Sequence, residues 1–317
     1  GGSGGGGAAY MAEYAGGASN QTTSYNVGGM TFTGYGNAGG LGRLEEHGGW
    51  TRAGGGGGGA DATGNTSGDY VSDTGQPARI AYGGDGGVGR QYNITGVSTY
   101  YAGGGGGSVH NYEDSNPEFP DYPGSGGDGG GGNAGLPTIN GSNNSGVGSD
   151  GINGTGGGGG AGGGGGGTGG NGGSGIVIIK YRLQHLLITD VTNDPVTTPI
   201  ASINTLDSNY KYVVFQNTGD TQTSYNITFT ESTSCDILIV GGGGSGGVRD
   251  AGAGGAGGLI YLTNVNILNS NLSVGKGGAS RTSGGHISGY KGDNSFIVID
   301  GITYTAEGGG KGGSWNV

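Results

Sequence analysis

The 317-residue sequence predicts an all-β protein. Short strands form a β-sandwich-like scaffold, filled by glycine-rich loops or packed polyglycine-II helices. Three observations lead there. Glycine occupies 91 positions, in runs bracketed by apolar, β-branched segments. Helix signals are nearly absent: only Ala8–Tyr14 could hold a helical turn, and glycine flanks it. The apolar segments have the length of strands and stop at Gly, Asn, Asp or Thr turns.

The first unit, residues 1–182, is glycine-rich throughout. Its runs include Gly54–Gly59, Gly103–Gly107, Gly156–Gly160 and Gly162–Gly167, with islands of Tyr, Asn, Ser and Thr between them. Glycine loses more conformational entropy on folding than any other residue and has no side chain to bury in return. Such runs are either disordered or held by backbone hydrogen bonds and close backbone approach. Collagen is excluded, because strict triplets are missing and the chain has 7 prolines. Bundled extended helices of about three residues per turn, with glycine at the contacts, are the ordered alternative. The unit closes on the strand Ile176-Val-Ile-Ile-Lys-Tyr181.

Residues 183–208 lack glycine and carry Pro195 and Pro199 in a Thr/Asp/Asn-rich stretch, which reads as a linker or extended connector. Residues 209–317 form a second glycine-rich β unit. Its expected strands are Tyr210–Phe215, Tyr225–Thr230, Cys235–Val240, Leu259–Leu262, Asn271–Val274 and Phe296–Ile299. Alternation at Tyr225, Ile227 and Phe229 suits a sheet with one buried face.

The segment Gly29-Met-Thr-Phe-Thr-Gly-Tyr-Gly36 matches Gly301-Ile-Thr-Tyr-Thr-Ala-Glu-Gly308 at an offset of 301 − 29 = 272. A tandem repeat follows. The chain starts inside one unit, closes it at Tyr181, and opens another at Tyr210. Units are then completed within one chain or between neighbours. The candidate assembly strands are Ile176, Val177, Ile178 and Ile179, pairing with Ile237, Leu238, Ile239 and Val240 of the same chain or the next.

The formal charge is −11, and 12 Lys and Arg form no cluster, which excludes a nucleic-acid footprint. No apolar stretch reaches the roughly 18 residues of a membrane span. The single Cys235 begins a strand and reads as a small buried hydrophobe. Gly241, Gly243 and Gly246 imitate a dinucleotide-binding fingerprint, but that motif needs a following helix. Here Ala251–Gly258 and another strand follow. His47, His110, His185 and His286 show no metal-ligand spacing. Asp85-Gly86, Asp128-Gly129 and Asp150-Gly151 lack a calcium-repeat period and read as turns. No catalytic residue, cofactor or metal is expected, and the chain is not expected to be an enzyme.

Tyrosine is abundant, 18 against 5 Phe and 2 Trp. Tyr35, Tyr82, Tyr92, Tyr100, Tyr101, Tyr112 and Tyr122 sit on glycine-flanked loops. They read either as an adaptable recognition surface or as rings that cover glycine layers. The loop 110–123 holds three of the prolines, and Tyr112, Phe119 and Tyr122 are its candidate recognition residues. Candidate glycosylation sequons lie at Asn20, Asn65, Asn93, Asn140, Asn143, Asn153, Asn226 and Asn271.

Several segments carry a family resemblance. They are Asn209-Tyr-Lys-Tyr212, Ile237-Leu-Ile-Val-Gly-Gly-Gly-Gly244, Leu259-Ile-Tyr261, Leu272-Ser-Val-Gly-Lys-Gly-Gly278 and Gly173-Ser-Gly-Ile-Val-Ile-Ile-Lys-Tyr181. In them the chain resembles a glycine-rich repeat domain of surface and fibre proteins of giant viruses of marine protists. It is also similar to glycine-rich adhesins of phage tail fibres. The resemblance covers most of the chain, in permuted order. It implies an extracellular or virion-surface location, self-association into a fibre, tail or filament, and no catalytic residues. The expected function is structural, with glycine-rich β units joined by strand pairing between repeats or subunits. The alternative is an adhesin that recognises host glycans or proteins through Tyr/Asn/Gly loops.

Overall fold

The computed structural model describes residues 2–9, 12–27, 30–44, 51–70, 80–111, 122–136, 146–183, 195–282, and 285–314. Regular structure there is all strand. The first unit contributes β1 (Tyr25–Val27), β2 (Met30–Phe32), β3 (Gly34–Tyr35), β4 (Arg43–Leu44), β5 (Thr51–Ala53), β6 (Gly68–Tyr70), β7 (Ile80–Tyr82), β8 (Arg90–Tyr92), β9 (Thr99–Tyr101), β10 (Val109–Asn111) and β11 (Ile176–Arg182). The rest contributes β12 (Val196–Thr198), β13 (Ser202–Thr205), β14 (Tyr210–Gln216), β15 (Thr223–Val240), β16 (Leu259–Val274), β17 (Ser295–Ile299) and β18 (Ile302–Ala306). The window Ala8–Tyr14 holds no helix among its described residues; Ala9 and Glu13 form a β-bridge instead.

A nine-stranded antiparallel sheet runs β13-β14-β11-β15-β16-β17-β18, with β12 on β15 and β3 on β16. β11, expected to close a first unit, is inserted between β14 and β15, expected to open a second. Ile176 faces Val240, Val177 faces Ile239, Ile178 faces Leu238 and Ile179 faces Ile237. These eight side chains are at most 6% exposed. The expected pairing is therefore made, and within one chain. With a neighbour on each side, β11 has no open ladder edge in this chain, and these eight residues are core.

β15 and β16 each join two expected strands into one. Register shifts between Thr228 and Thr233 and between Cys235 and Ile237 carry β15 through its polar middle. The expected connector supplies β12 and β13. Pro195 and Pro199 flank β12, where a missing N–H costs no central ladder bond. β17 and β18 form a two-residue hairpin whose turn, Asp300-Gly301, has φ of 51° and 78°, the geometry that an Asp-Gly pair favours.

Both sheet faces are buried. On one face Val177, Ile179, Phe215, Ile227, Phe229 and Ile237 share a cluster with Leu272, Ile297 and Tyr304 from the other end of the sheet, so the sheet curls over itself. Phe32 and Tyr304, equivalent at the offset of 272, both enter this cluster. On the other face Ile176, Ile178, Leu238, Val240 and Leu259 meet Ala60, Ile94, Tyr101, Ala102 and Ala256 from the glycine-rich segments. That explains why β11 reads as an unbroken apolar run and not as an alternation.

The glycine runs are ordered, and their hydrogen bonds repeat every third residue. Gly54 and Gly57 donate to Ser108 and Gly105. Gly55 and Gly58 donate to Gly7 and Gly4, and Gly56 and Gly59 to Asn65 and Ala62, all at 2.8–3.0 Å. Donors that turn to a new neighbour at each residue and return after three belong to a helix of about three residues per turn. The segment 252–258 behaves alike. It donates to segments 307–313, 55–58 and 156–159, and accepts from 241–247, 3–6 and Gly105. Three donor and three acceptor directions define a hexagonal bundle of polyglycine-II type. Backbones fit this closely only without side chains. A methyl group on Gly57 would lie 2.0 Å from the Gly254 carbonyl oxygen, and one on Gly244 would lie 2.1 Å from that of Gly310.

Polar side chains finish the helices where the bundle ends. Asp85 Oδ1 accepts from Ser125 N–H, Asp150 Oδ1 from Asn171 N–H, and Asn294 Oδ1 from Gly308 N–H, at 2.7–2.8 Å. Of the three Asp-Gly pairs expected to be turns, Asp128-Gly129 is one, with Gly129 at φ of 102°, whereas Asp85 and Asp150 lie within extended segments and bond a neighbouring N–H.

Candidate functional site

Two places concentrate functional side chains on this scaffold. The first is buried. The turn Val248-Arg249-Asp250-Ala251 connects the antiparallel segments 241–247 and 252–258, with Arg249 and Asp250 at φ of 54° and 51°. These are left-handed values that cost energy in residues other than glycine. The Asp250 side chain is wholly buried. Arg52 Nη1 donates to its Oδ2 at 3.1 Å, His110 Nδ1 meets its Oδ1 at 2.5 Å, and His286 Nδ1 lies 3.8 Å from Oδ2. Arg52 on β5 and His110 on β10 face each other across their ladder, so one carboxylate receives both. Burial opposes the charge on Asp250, but the His110 hydrogen bond and the charges of His110, Arg52 and His286 outweigh it and hold the carboxyl below its usual range. Burial also pushes His286 below the usual histidine range; Asp250 opposes this and Arg249 adds to it.

Chemically this cluster is a staple. It joins β5 and β10 of the first unit to a strained turn and to His286 in the second. Among the described residues no group of three or more His, Cys, Asp or Glu is placed to hold a metal ion.

The second place is exposed. Tyr82, at the end of β7, and Tyr122 stack in parallel with ring centroids 4.9 Å apart and planes 5° apart. They form a β-bridge to each other and are 38% and 46% exposed. Both rings line an open cleft of about 420 Å³ with Asn65, Thr66, Asp85 and Ser125. A larger cleft of about 600 Å³ has Asp150, Asn171, Asn217, Asp220 and Lys276 on its walls and no aromatic ring.

Residues 218–317 match a glycine-rich domain family. No curated protein and no solved structure matches the chain. The part matching the glycine-rich domain holds β15–β18, the segments 241–247 and 252–258, and both Asp250 and His286. Arg52, His110, Tyr82 and Tyr122 lie outside it. The staple therefore ties the glycine-rich domain to the preceding part of the chain.

The expected recognition residues part company. Tyr122 belongs to the exposed cleft, while Tyr112 and Phe119 lie outside the described residues, as do Asn140, Asn143, His47 and His185. Asn20, Asn65, Asn93, Asn153, Asn226 and Asn271 are all exposed. Asn226 and Asn271 face each other on β15 and β16. The loop tyrosines divide into buried and exposed ones. Tyr101 is buried against the sheet, with Tyr35 and Tyr92 packed beside it; Tyr82, Tyr100 and Tyr122 face solvent. Cys235 is buried, and burial, with Asp236 adding to it, pushes its thiol up to about 12. Among the described residues no helix is long and apolar enough to cross a membrane. The staple escaped sequence reasoning because its residues lie up to 234 positions apart (286 − 52). One signal existed: Arg249-Asp250 is the only charged pair within 241–258.

Proposed function

We propose that the protein is a structural component of an extracellular or virion-surface fibre, tail or filament, and that copies join through an open sheet edge. One observation carries this reading. β13 is the outermost strand at one end of the sheet among the described residues. Its Ile203 is 39% exposed, and the preceding Val196 and Ile200 are 71% and 94% exposed. An edge with unpaired backbone and exposed aliphatic side chains is a template for pairing with another chain. The bundle behind it supplies a stiff body of the kind a fibre segment requires. Residues Ile176–Ile179 and Ile237–Val240 hold each subunit together, and the joint moves to β13.

Sedimentation velocity and negative-stain microscopy test this. The chain should form oligomers or filaments with a regular axial repeat, and Ile203→Lys combined with Ile200→Glu should leave monomers with an unchanged circular dichroism spectrum. A chain that stays monomeric throughout its soluble range overturns the reading.

An adhesin is the second reading, with host-surface glycans as its candidate partner. The exposed Tyr82–Tyr122 pair favours it, because Tyr beside Asn, Ser and Gly suits adaptable recognition.

A further inference from the structure

We propose that the Tyr82–Tyr122 cleft binds one neutral pyranose ring, stacked by its C–H face on the exposed tyrosine surface. This rests on the adhesin reading and names its site and ligand class.

The argument begins with what exposes the rings. Some tyrosines are covered, while Tyr14, Tyr100 and Tyr290 are exposed singly. Tyr101 is 5% exposed, and Tyr92 pairs with Tyr261 at 4.7 Å against the sheet. Tyr82 and Tyr122 instead spend one face on each other and leave the remaining aromatic surface in a cleft. An aromatic face is electron-rich and attracts the weakly positive C–H edge of a flat ligand. Such a platform needs polar groups beside it to select a ligand and fix its orientation. Asp85 uses Oδ1 on Ser125 N–H and keeps a second carboxylate oxygen to accept from a hydroxyl. Asn65 brings an amide that both donates and accepts.

The cleft is also held in advance of binding. Tyr122 N–H donates to Ala81 at 2.9 Å and Gly83 N–H to Tyr122 at 2.8 Å. Asn65 N–H donates to Asp85 at 2.8 Å, and Gly84 and Gly124 are anchored in the bundle on Gly54 and Gly107. A platform fixed by backbone bonds loses little freedom when a ligand arrives. Charge selects within the sugars: the chain carries −11, and Asp85 sits in the cleft wall. Acidic sugars are repelled, and neutral ones are not.

Saturation-transfer NMR on the full chain tests the assignment, with methyl β-D-galactopyranoside and methyl β-D-glucopyranoside as probes and methyl β-D-glucuronide as the acidic control. The ring protons of at least one neutral probe should saturate, and those of the glucuronide should not. Tyr122→Ala and Tyr82→Ala should weaken binding about tenfold or more. Asp85→Asn, which keeps the shape of the wall, should let the glucuronide bind, and Tyr14→Ala should change nothing. A signal that persists in both cleft variants overturns the cleft and leaves the adhesin reading standing. No signal from the unmodified chain with either neutral probe overturns the cleft as well; a glycan array then decides the adhesin reading separately.

Discussion

The sheet and the glycine bundle are built from the same chain and stabilised in opposite ways. In the sheet each strand bonds its flanking strands, and the interior is filled by side chains such as Ile179, Phe215, Ile237 and Tyr304. In the bundle a central helix such as 252–258 bonds in six directions, and its interior is backbone. The sheet is specified by shape: a side chain of similar volume can replace another at modest cost. The bundle is specified by absence, since at most of its contacts a Cβ must not be present. A single methyl group is allowed at Ala60, Ala102 and Ala256, which meet the apolar underside of the sheet, and at Ala161 and Ala253 within the glycine segments.

The largest effect that would break this contrast is a methyl group inside the bundle. Gly57→Ala should destabilise by about 4 kcal/mol or more, beyond ordinary overpacking, because the clash is with backbone on a helix bonded all round. Chemical denaturation measures it. A loss as small as that of Ile179→Val, about 1 kcal/mol, would show that the bundle yields like a sheet.

Next comes the staple. Asp250→Ala leaves Arg52 buried without its carboxylate and should cost about 3–5 kcal/mol. Limited proteolysis should then cut first at the turn 248–251, because the segments on either side stay bonded to the rest of the bundle. A loss of the whole fold at once would make staple and bundle one cooperative unit.

Acid gives a smaller effect, with a definite sign. The folded pKa of His286 lies below 6.5, so in that window the unfolded chain binds the extra proton. Stability is full above pH 6.5 and falls as pH drops through the window towards the folded value. Asp250, whose folded pKa is below 3.8, adds a second loss as pH falls past 3.8 towards its folded value. Melting temperature followed downwards from neutral pH should therefore decline in two stages, and His286→Gln should flatten the first.

The smallest change runs the other way. Gly219 has open space around its Cα and no left-handed backbone. Gly219→Ala should raise stability by about 0.4–1 kcal/mol by narrowing the unfolded ensemble.

These differences follow what the sequence could reveal. β11, β14 and the ends of β15 and β16 are legible because β-branched and apolar residues mark them. The middle of β15 is not, because Glu231 to Ser234 looks like a turn, and the register shifts that carry the strand through leave no mark in composition. β12 and β13 hide behind two prolines. β18 is preceded by Asp300-Gly301, a hairpin signal at the start of the segment matched to Gly29–Gly36. Order in the glycine runs could be expected from their bracketing strands. The partner of each run could not, because a glycine carries no side chain by which to recognise one. Of the exposed cleft, Tyr122 was legible by its loop, and its stacking on Tyr82 only by the fold.

The hydrogen bonds that recur at every third residue also govern how such a chain can change length. A run that gains or loses three residues adds or removes one turn, and each remaining donor still points at the neighbour it had. A run that changes by one residue swings every later donor by a third of a turn, towards the wrong partner. Insertions and deletions inside these runs are therefore tolerated in triplets, a reading frame set by helical pitch and written in protein.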